Sequence, residues 1–204
     1  DVLVLLNNDT EIIDSGWLTE LVAQVSRPEV GVVGALLVFS DGTIQHAGVH
    51  PGVSGLMGHG HKHLPSDSPG YFGRLTVAHE TAAVTGACLA IQATTWQHLG
   101  GLDEEHLAVA YNDIDLCLKS RQAGLWVVLS PHARLVHHES VSRGVDNDPE
   151  RNERLGQEVE VMRERWGNLL NADPAYSPNL DLDGGGFQLT RTPREIPVWL
   201  RTPD

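Results

Sequence analysis

Three polar clusters in this chain carry side chains that could hold a metal ion and move a proton. Asn7-Asn8-Asp9-Thr10 follows directly on the apolar run Val2 to Leu6. Tyr111-Asn112-Asp113-Ile114-Asp115-Leu116 opens a segment of helical spacing. His137-His138-Glu139-Ser140 follows the apolar run Ala133 to Val136. A carboxylate at a strand end, a second at a helix start and a histidine after a later strand could converge on one metal and one reacting hydroxyl.

Each cluster has a plainer reading beside the chemical one. Asn and Asp after a strand make a polar turn by bonding their own backbone. In an open α/β sheet, however, ligands bind beyond the carboxyl ends of strands, and an aspartate there can bind a divalent cation and a diphosphate together. Carboxylates at a helix start are favoured by the helix dipole whatever the function. Asp113 and Asp115 are two positions apart and cannot share a helix face, so at most one faces a site while the other caps the helix or pairs with an arginine. At its reference pKa of about 3.9, Asp113 would be ionised at neutral pH without help. A neutral imidazole is a good transition-metal ligand, yet a lone histidine is more often a core or surface residue. His59-Gly60-His61-Lys62-His63 is a second metal lure, since alternation would put three imidazoles on one side of an extended segment. It lies in an unpatterned Gly-rich stretch without an acidic partner, and reads as a mobile loop near the site.

The elements that must position these residues follow from periodicity. Asp1 to Leu6 is a buried strand, Asn7 to Ser15 a loop, and Gly16 to Arg27 a helix ended by Pro28. Val30 to Phe39 is a strand covered on both faces. Asp41-Gly42 turns a hairpin into a strand over Thr43 to Val49. His50 to Arg74 has no period. Leu75 to His79 and Ala83 to Gln92 are strands, and Ala93 to Leu99 is a short helix stopped by Gly100-Gly101. Tyr111 to Ala123 is a helix, Leu125 to Leu129 and Ala133 to Val136 are short strands, and Asp148 to Trp166 is an amphipathic helix. Alternating strands and helices with one hairpin imply an α/β layer on a mixed sheet. Residues 1–167 form the domain, and 168–204 read as an extended Pro/Gly-rich tail.

Composition narrows the partners. Hydrophobic residues make up 41% of the 204 positions, enough for a core. The net charge of −13 argues against nucleic acid as a partner. A phosphorylated small molecule stays open, because one metal ion inverts the local field. Cys88 and Cys117 both sit in apolar patterns and read as buried free thiols of a reducing compartment. No apolar run approaches the roughly 20 residues of a membrane span.

Taken in order, these motifs resemble the family 2 glycosyltransferases of the GT-A fold, and among them the bacterial rhamnosyltransferase-like enzymes of surface polysaccharide synthesis. Leu5-Leu6-Asn7-Asn8-Asp9-Thr10 is similar to their variant of the Asp-x-Asp metal motif. Asp41-Gly42-Thr43-Ile44-Gln45-His46-Ala47-Gly48 resembles the hairpin of that subgroup. Thr85-Gly86-Ala87-Cys88-Leu89 and Gly100-Gly101-Leu102-Asp103-Glu104 resemble the segments flanking the acceptor side. Asn112-Asp113-Ile114-Asp115-Leu116-Cys117 matches Glu-Asp-x-Asp-Leu-Cys, and His137-His138-Glu139-Ser140-x-Ser142-Arg143-Gly144 the late histidine motif.

The resemblance implies a metal-dependent inverting sugar transfer. Asp9 and His137 would hold Mn²⁺ or Mg²⁺, and Asp113 would be the catalytic base. Asn8, Thr85, Gly86, Ala87, Asn112, His138, Ser142 and Arg143 would contact substrate. The partners implied are a nucleotide-sugar donor and a glycan or lipid-linked acceptor. The expected place is the cytoplasm, with the full-length protein peripheral on the cytoplasmic face of the membrane. The chain departs from the family in two ways. Asn replaces acid at Asn7, Asn8 and Asn112, and the nucleotide-binding half expected ahead of Asp1 is missing. The chain is therefore expected to be the C-terminal part of a GT-A domain, inactive in isolation. A second reading of the same departures is a non-catalytic carbohydrate- or protein-interaction module derived from such an enzyme.

Overall fold

The opening apolar run forms β1 (Val2–Leu6) in the computed structural model, which describes residues 1–138, 149–171, 173, 175–183 and 187–194. The elements that follow are β2 (Thr10–Ile12), α1 (Trp17–Val25), β3 (Val30–Val38), β4 (Ile44–His46), β5 (Val49–Pro51), β6 (Met57–His59), a short 3₁₀ segment (Tyr71–Thr76), β7 (His79–Glu80), β8 (Cys88–Gln92), α2 (Ala93–Leu99), α3 (Asn112–Gln122), β9 (Trp126–His137) and α4 (Pro149–Asn171).

Seven strands form one sheet in the order β1-β8-β3-β9-β2, with β4 also on β3 and β7 on β9. β3 and β9 are parallel, while β8 runs antiparallel to both β1 and β3. The C-terminal ends of β1, β3 and β9 and the N-terminal end of β8 therefore share one edge of the sheet. Every residue of β3 is buried, as an unbroken Val-, Leu- and Gly-rich run requires of a strand covered on both faces.

Helix α1 covers one face, packing Leu21 and Val25 against Val33, Leu37, Ala90 and Leu135. Helices α3 and α4 cover the other, packing Leu116, Met162 and Trp166 against Val32, Leu36, Leu89 and Leu129. Gly31 and Gly34 make this close layering possible. A Cβ on Gly34 would lie 2.5 Å from Val84 Cβ, and one on Gly31 would lie 2.0 Å from Ser120 Oγ.

Several expectations need correction. Residues 10–12, read as loop, add an edge strand, because Thr10 to Ile12 pair with Leu135 to His137. The two short strands around Pro131 are one bulged strand, β9. Ala35 and Leu36 pair with Ser130 and Arg134, so the residues between are looped out and Pro131 has no ladder bond to donate. Residues 75–76 end a 3₁₀ turn and are not strand. The unpatterned stretch after His50 contains the β5–β6 hairpin.

The tail is not simply extended. α4 runs on to Asn171, and Tyr176, Leu180 and Phe187 pack with Val53 in a third apolar cluster on the hairpin. A fully buried pair fixes it there, His50 Nδ1 to Asp173 Oδ2 at 2.9 Å. Among the described residues no helix is long and apolar enough to cross a membrane.

Candidate active site

The shared sheet edge borders a cleft of about 960 Å³ lined by the ends of β1 and β4, the turn before β8, the start of α3 and one side of α4. Six of the sequence-predicted residues line it: Thr85, Gly86, Ala87, Asn112, Asp113 and His137. The turn at 85–87 is held against β1 by the Asn7 N–H, which donates to Ala87 O at 3.0 Å.

Asp113 stands half-buried in the first turn of α3. Its Oδ2 accepts from Gly86 N–H at 2.6 Å and its Oδ1 from Ile114 N–H at 2.8 Å. The second bond meets one of the first-turn donors that a helix start leaves unsatisfied, so the helix-start reading and the site reading hold together. A side chain on Gly86 would crowd this contact, since its Cβ would lie 3.3 Å from Asp113 Cβ. Burial pushes the Asp113 carboxyl above the ordinary aspartate range, against the amides of Gly86 and Ile114 and the Thr85 hydroxyl, which favour its charge. Unassisted ionisation at its reference pKa is therefore not what the fold gives it. The residue before the helix, Tyr111, lines the cleft in a left-handed conformation at φ 62°, a strained state for a non-glycine side chain.

Asp115 turns the other way. It is fully buried and binds Lys119 Nζ at 2.8 Å, Trp166 Nε1 at 2.9 Å and Arg165 Nη1 at 3.3 Å. It ties α3 to α4 and has no place in the cleft lining.

Asp9 and His137 come together from positions far apart in the chain. β2 pairs with β9 so that Thr10 faces His137, and His138 N–H donates to Asp9 O at 2.9 Å. Asp9 Oδ1 lies 3.2 Å from His137 Nε2. That oxygen is shielded from solvent, and no hydrogen bond satisfies it. Asn7 Nδ2 also approaches His137 Nε2, at 3.2 Å, and Gln45 Oε1 approaches His137 Nδ1 at 2.7 Å. An orphaned carboxylate oxygen beside an imidazole nitrogen suits a divalent cation that takes mixed O and N donors. Among the described residues no group of three or more His, Cys, Asp or Glu side chains surrounds one point. Such an ion would take its remaining ligands from substrate phosphate or water, the usual habit of Mg²⁺.

Two predicted contacts fall elsewhere. Asn8 is exposed in its turn and does not line the cleft, where Asn7 does. His138 is directed away from His137, because successive residues of an extended chain face opposite sides. Its Nδ1 meets Ser40 Oγ at 2.9 Å and its Nε2 meets Glu11 Oε2 at 3.2 Å. Ser142 and Arg143 lie outside the described residues.

The histidine-rich loop is not an extended row. His61 and His63 have left-handed backbones at φ 59° and 66°, which turn the chain between them. His59 lines the cleft and meets the buried His46, Nδ1 to Nδ1, at 2.9 Å. His61 stacks on Phe187, and burial lowers its pKa to about 3. His63 stacks on Phe39. Cys88 and Cys117 are free and buried, and burial pushes both thiols up to about 12.

Glu158 is a site residue that the sequence reading passed over. It is buried on α4 and accepts from Val109 N–H at 3.0 Å and Ala110 N–H at 2.9 Å, fixing the loop that leads to Tyr111. Its signal was present: Glu158, Met162, Trp166 and Leu170 follow one another at four-residue spacing, so an acid stands on the apolar stripe. Two cations, Lys62 and Arg154, also line the cleft.

No protein-family model matches the chain. It is 48% identical over 190 residues to the uncharacterized protein y4gI of Sinorhizobium fredii (strain NBRC 101917 / NGR234), covering 93% of this chain and 21% of that protein. It is 39% identical over 198 residues to the O-antigen biosynthesis protein RfbC of Myxococcus xanthus, covering 96% of this chain and 15% of that protein. The chain thus spans 21% or less of the length of these relatives. The crystal structure of GalNAc-T7 with UDP, GalNAc and Mn²⁺ superposes with a TM-score of 0.57 at 19% identity, over 84% of this chain and 33% of that one. The mannosyltransferase PcManGT from Pyrobaculum calidifontis, in complex with GDP-Man and Mn²⁺, superposes with a TM-score of 0.51 at 18% identity, over 86% and 44%. The chain has a GT-A fold. At these identities the superpositions establish that fold over about a third to two-fifths of each transferase. The GT-A architecture accounts for the mixed sheet and for a cleft at the carboxyl ends of its parallel strands.

Proposed function

We propose that this chain carries the catalytic side of a nucleotide-sugar-dependent glycosyltransferase of surface polysaccharide synthesis, acting with inversion on a glycan or lipid-linked acceptor. The observation that carries the reading is Asp113, a carboxylate of raised pKa fixed by two backbone amides in the same cleft lining as His137. The likeness to RfbC and to two transferases solved in complex with Mn²⁺ supports it.

The acceptor hydroxyl attacks the anomeric carbon of the donor sugar. As the new C–O bond forms, the bond to the diphosphate breaks, and its electron pair leaves with the nucleoside diphosphate. The hydroxyl proton passes to Asp113, whose oxygens each keep a lone pair beyond the amide they accept from. A carboxyl of raised pKa is the stronger base once ionised. Asn112, Thr85 and Ala87 border the reacting centre, and Lys62 and Arg154 supply positive charge for phosphate. Asp9 and His137 would hold a divalent cation, Mn²⁺ or Mg²⁺, which when bound supplies charge neutralisation of the leaving diphosphate.

The test is Asp113→Asn in the protein that carries this chain, assayed by nucleoside diphosphate release from a panel of nucleotide-sugars with Mn²⁺. Removing a positioned base is expected to lower kcat by about 10²–10⁴-fold, roughly 3–5 kcal/mol of barrier, with donor binding little changed. Turnover near the wild-type rate would sink the mechanism. Specific binding of sugar without any turnover by the wild type would favour the interaction-module reading.

A further inference from the structure

Gln45 is buried on β4 beside His137, and its amide can take only one orientation. The atom facing the His137 carbonyl, at 3.2 Å, must be the NH₂ group, because a carbonyl oxygen only accepts. The opposite amide atom, Oε1, then faces His137 Nδ1 at 2.7 Å. An amide oxygen also only accepts, so Nδ1 must carry the hydrogen. In the neutral ring Nε2 is left with its lone pair.

A second contact accords with that tautomer. Asn7 Nδ2 can only donate, and it lies 3.2 Å from His137 Nε2. Asp9 Oδ1 lies beside this Nε2, 3.2 Å away and without a hydrogen bond of its own. Two electron-rich atoms are held side by side, an arrangement that a cation relieves. His138 is held the other way round, because its Nε2 faces the Glu11 carboxylate, which only accepts, and its Nδ1 faces the Ser40 hydroxyl, which can donate.

We propose that Gln45 is the positioning residue of the metal site. It holds His137 as the Nδ1–H tautomer, so that Nε2 and Asp9 Oδ1 face a divalent cation as a preformed pair of donors. The inference rests on the metal-dependent reading above, and tautomer and metal binding are measured separately so that the two can fail separately.

Long-range ¹H–¹⁵N spectra of the metal-free protein report the His137 tautomer without any need for turnover. The wild type is expected to show hydrogen on Nδ1 alone. In Gln45→Leu both tautomers should be populated, and the affinity for Mn²⁺ alone, measured by electron paramagnetic resonance, should fall about 10–100-fold. Hydrogen on Nε2 in the wild type, whose spectrum needs no variant to fold, would overturn the proposal. So would a Gln45→Leu protein with unchanged tautomer and unchanged Mn²⁺ affinity. A wild type with the stated tautomer and no Mn²⁺ binding would overturn the metal reading itself.

Discussion

The backbone N–H of Gly86 donates to Asp113 Oδ2 at 2.6 Å, so the turn before β8 and the start of α3 share one carboxylate. Gly86→Ala tests this relationship without touching an acid. The added Cβ would sit 3.3 Å from Asp113 Cβ and 3.6 Å from its Oδ2, close enough to push the carboxylate by a few tenths of an ångström. A misplacement of 1 Å costs about 10²-fold, so kcat should fall several-fold, with the melting temperature little changed. An alanine variant with full kcat would mean that the position of Asp113 is not critical.

The raised pKa of Asp113 sets the sign of the pH response. Burial is the first cause, and it disfavours the carboxylate. A general base works only when ionised, so kcat/KM should fall as pH drops through the folded pKa. The acid limb of the kcat/KM profile, which reports the free protein, should therefore lie above the ordinary aspartate range. A limb at or below about 3.9 would contradict the buried base.

His137→Ala should weaken the Mn²⁺ dependence of transfer more than His138→Ala does. The first removes a ring nitrogen 3.2 Å from Asp9 Oδ1, whereas the second removes contacts to Glu11 and Ser40 outside the cleft. The comparison is the Mn²⁺ concentration for half-maximal rate in each variant. An equal or reversed ranking would assign the metal to the wrong histidine.

Asp115→Asn should lower stability and leave Asp113 chemistry largely in place. Its carboxylate is fully buried between Lys119 and Arg165, and the asparagine would leave Lys119 without this anion and Arg165 with Asp103 alone. Breaking a buried pair costs about 3–5 kcal/mol, and both partners are partly exposed, so the lower end applies. At roughly 2–4 °C per kcal/mol for a chain of this size, the melting temperature should fall by about 6–12 °C. A shift within a degree or two would place Asp115 in a solvated network.

The sequence alone carried the alternation of strands and helices, the doubly covered β3, the acid at the start of α3 and the polar turn after β1. These are local signals, set by periodicity, turn chemistry and helix ends, and each is complete within a dozen residues. It could not say which of two neighbours faces the cleft. Asn7 and not Asn8 lines it, and His138 leaves while His137 stays, because facing is fixed by the pairing of β2 with β9 and not by residue type. It could not show that the tail returns, since the attachment depends on His50 and Asp173, buried together though 123 residues apart in the chain. The environment of Asp113 was also beyond it. That carboxyl is desolvated by a turn that comes before it in sequence and meets it only when β8 and α3 pack on one sheet, and burial is a property of packing that no local pattern encodes.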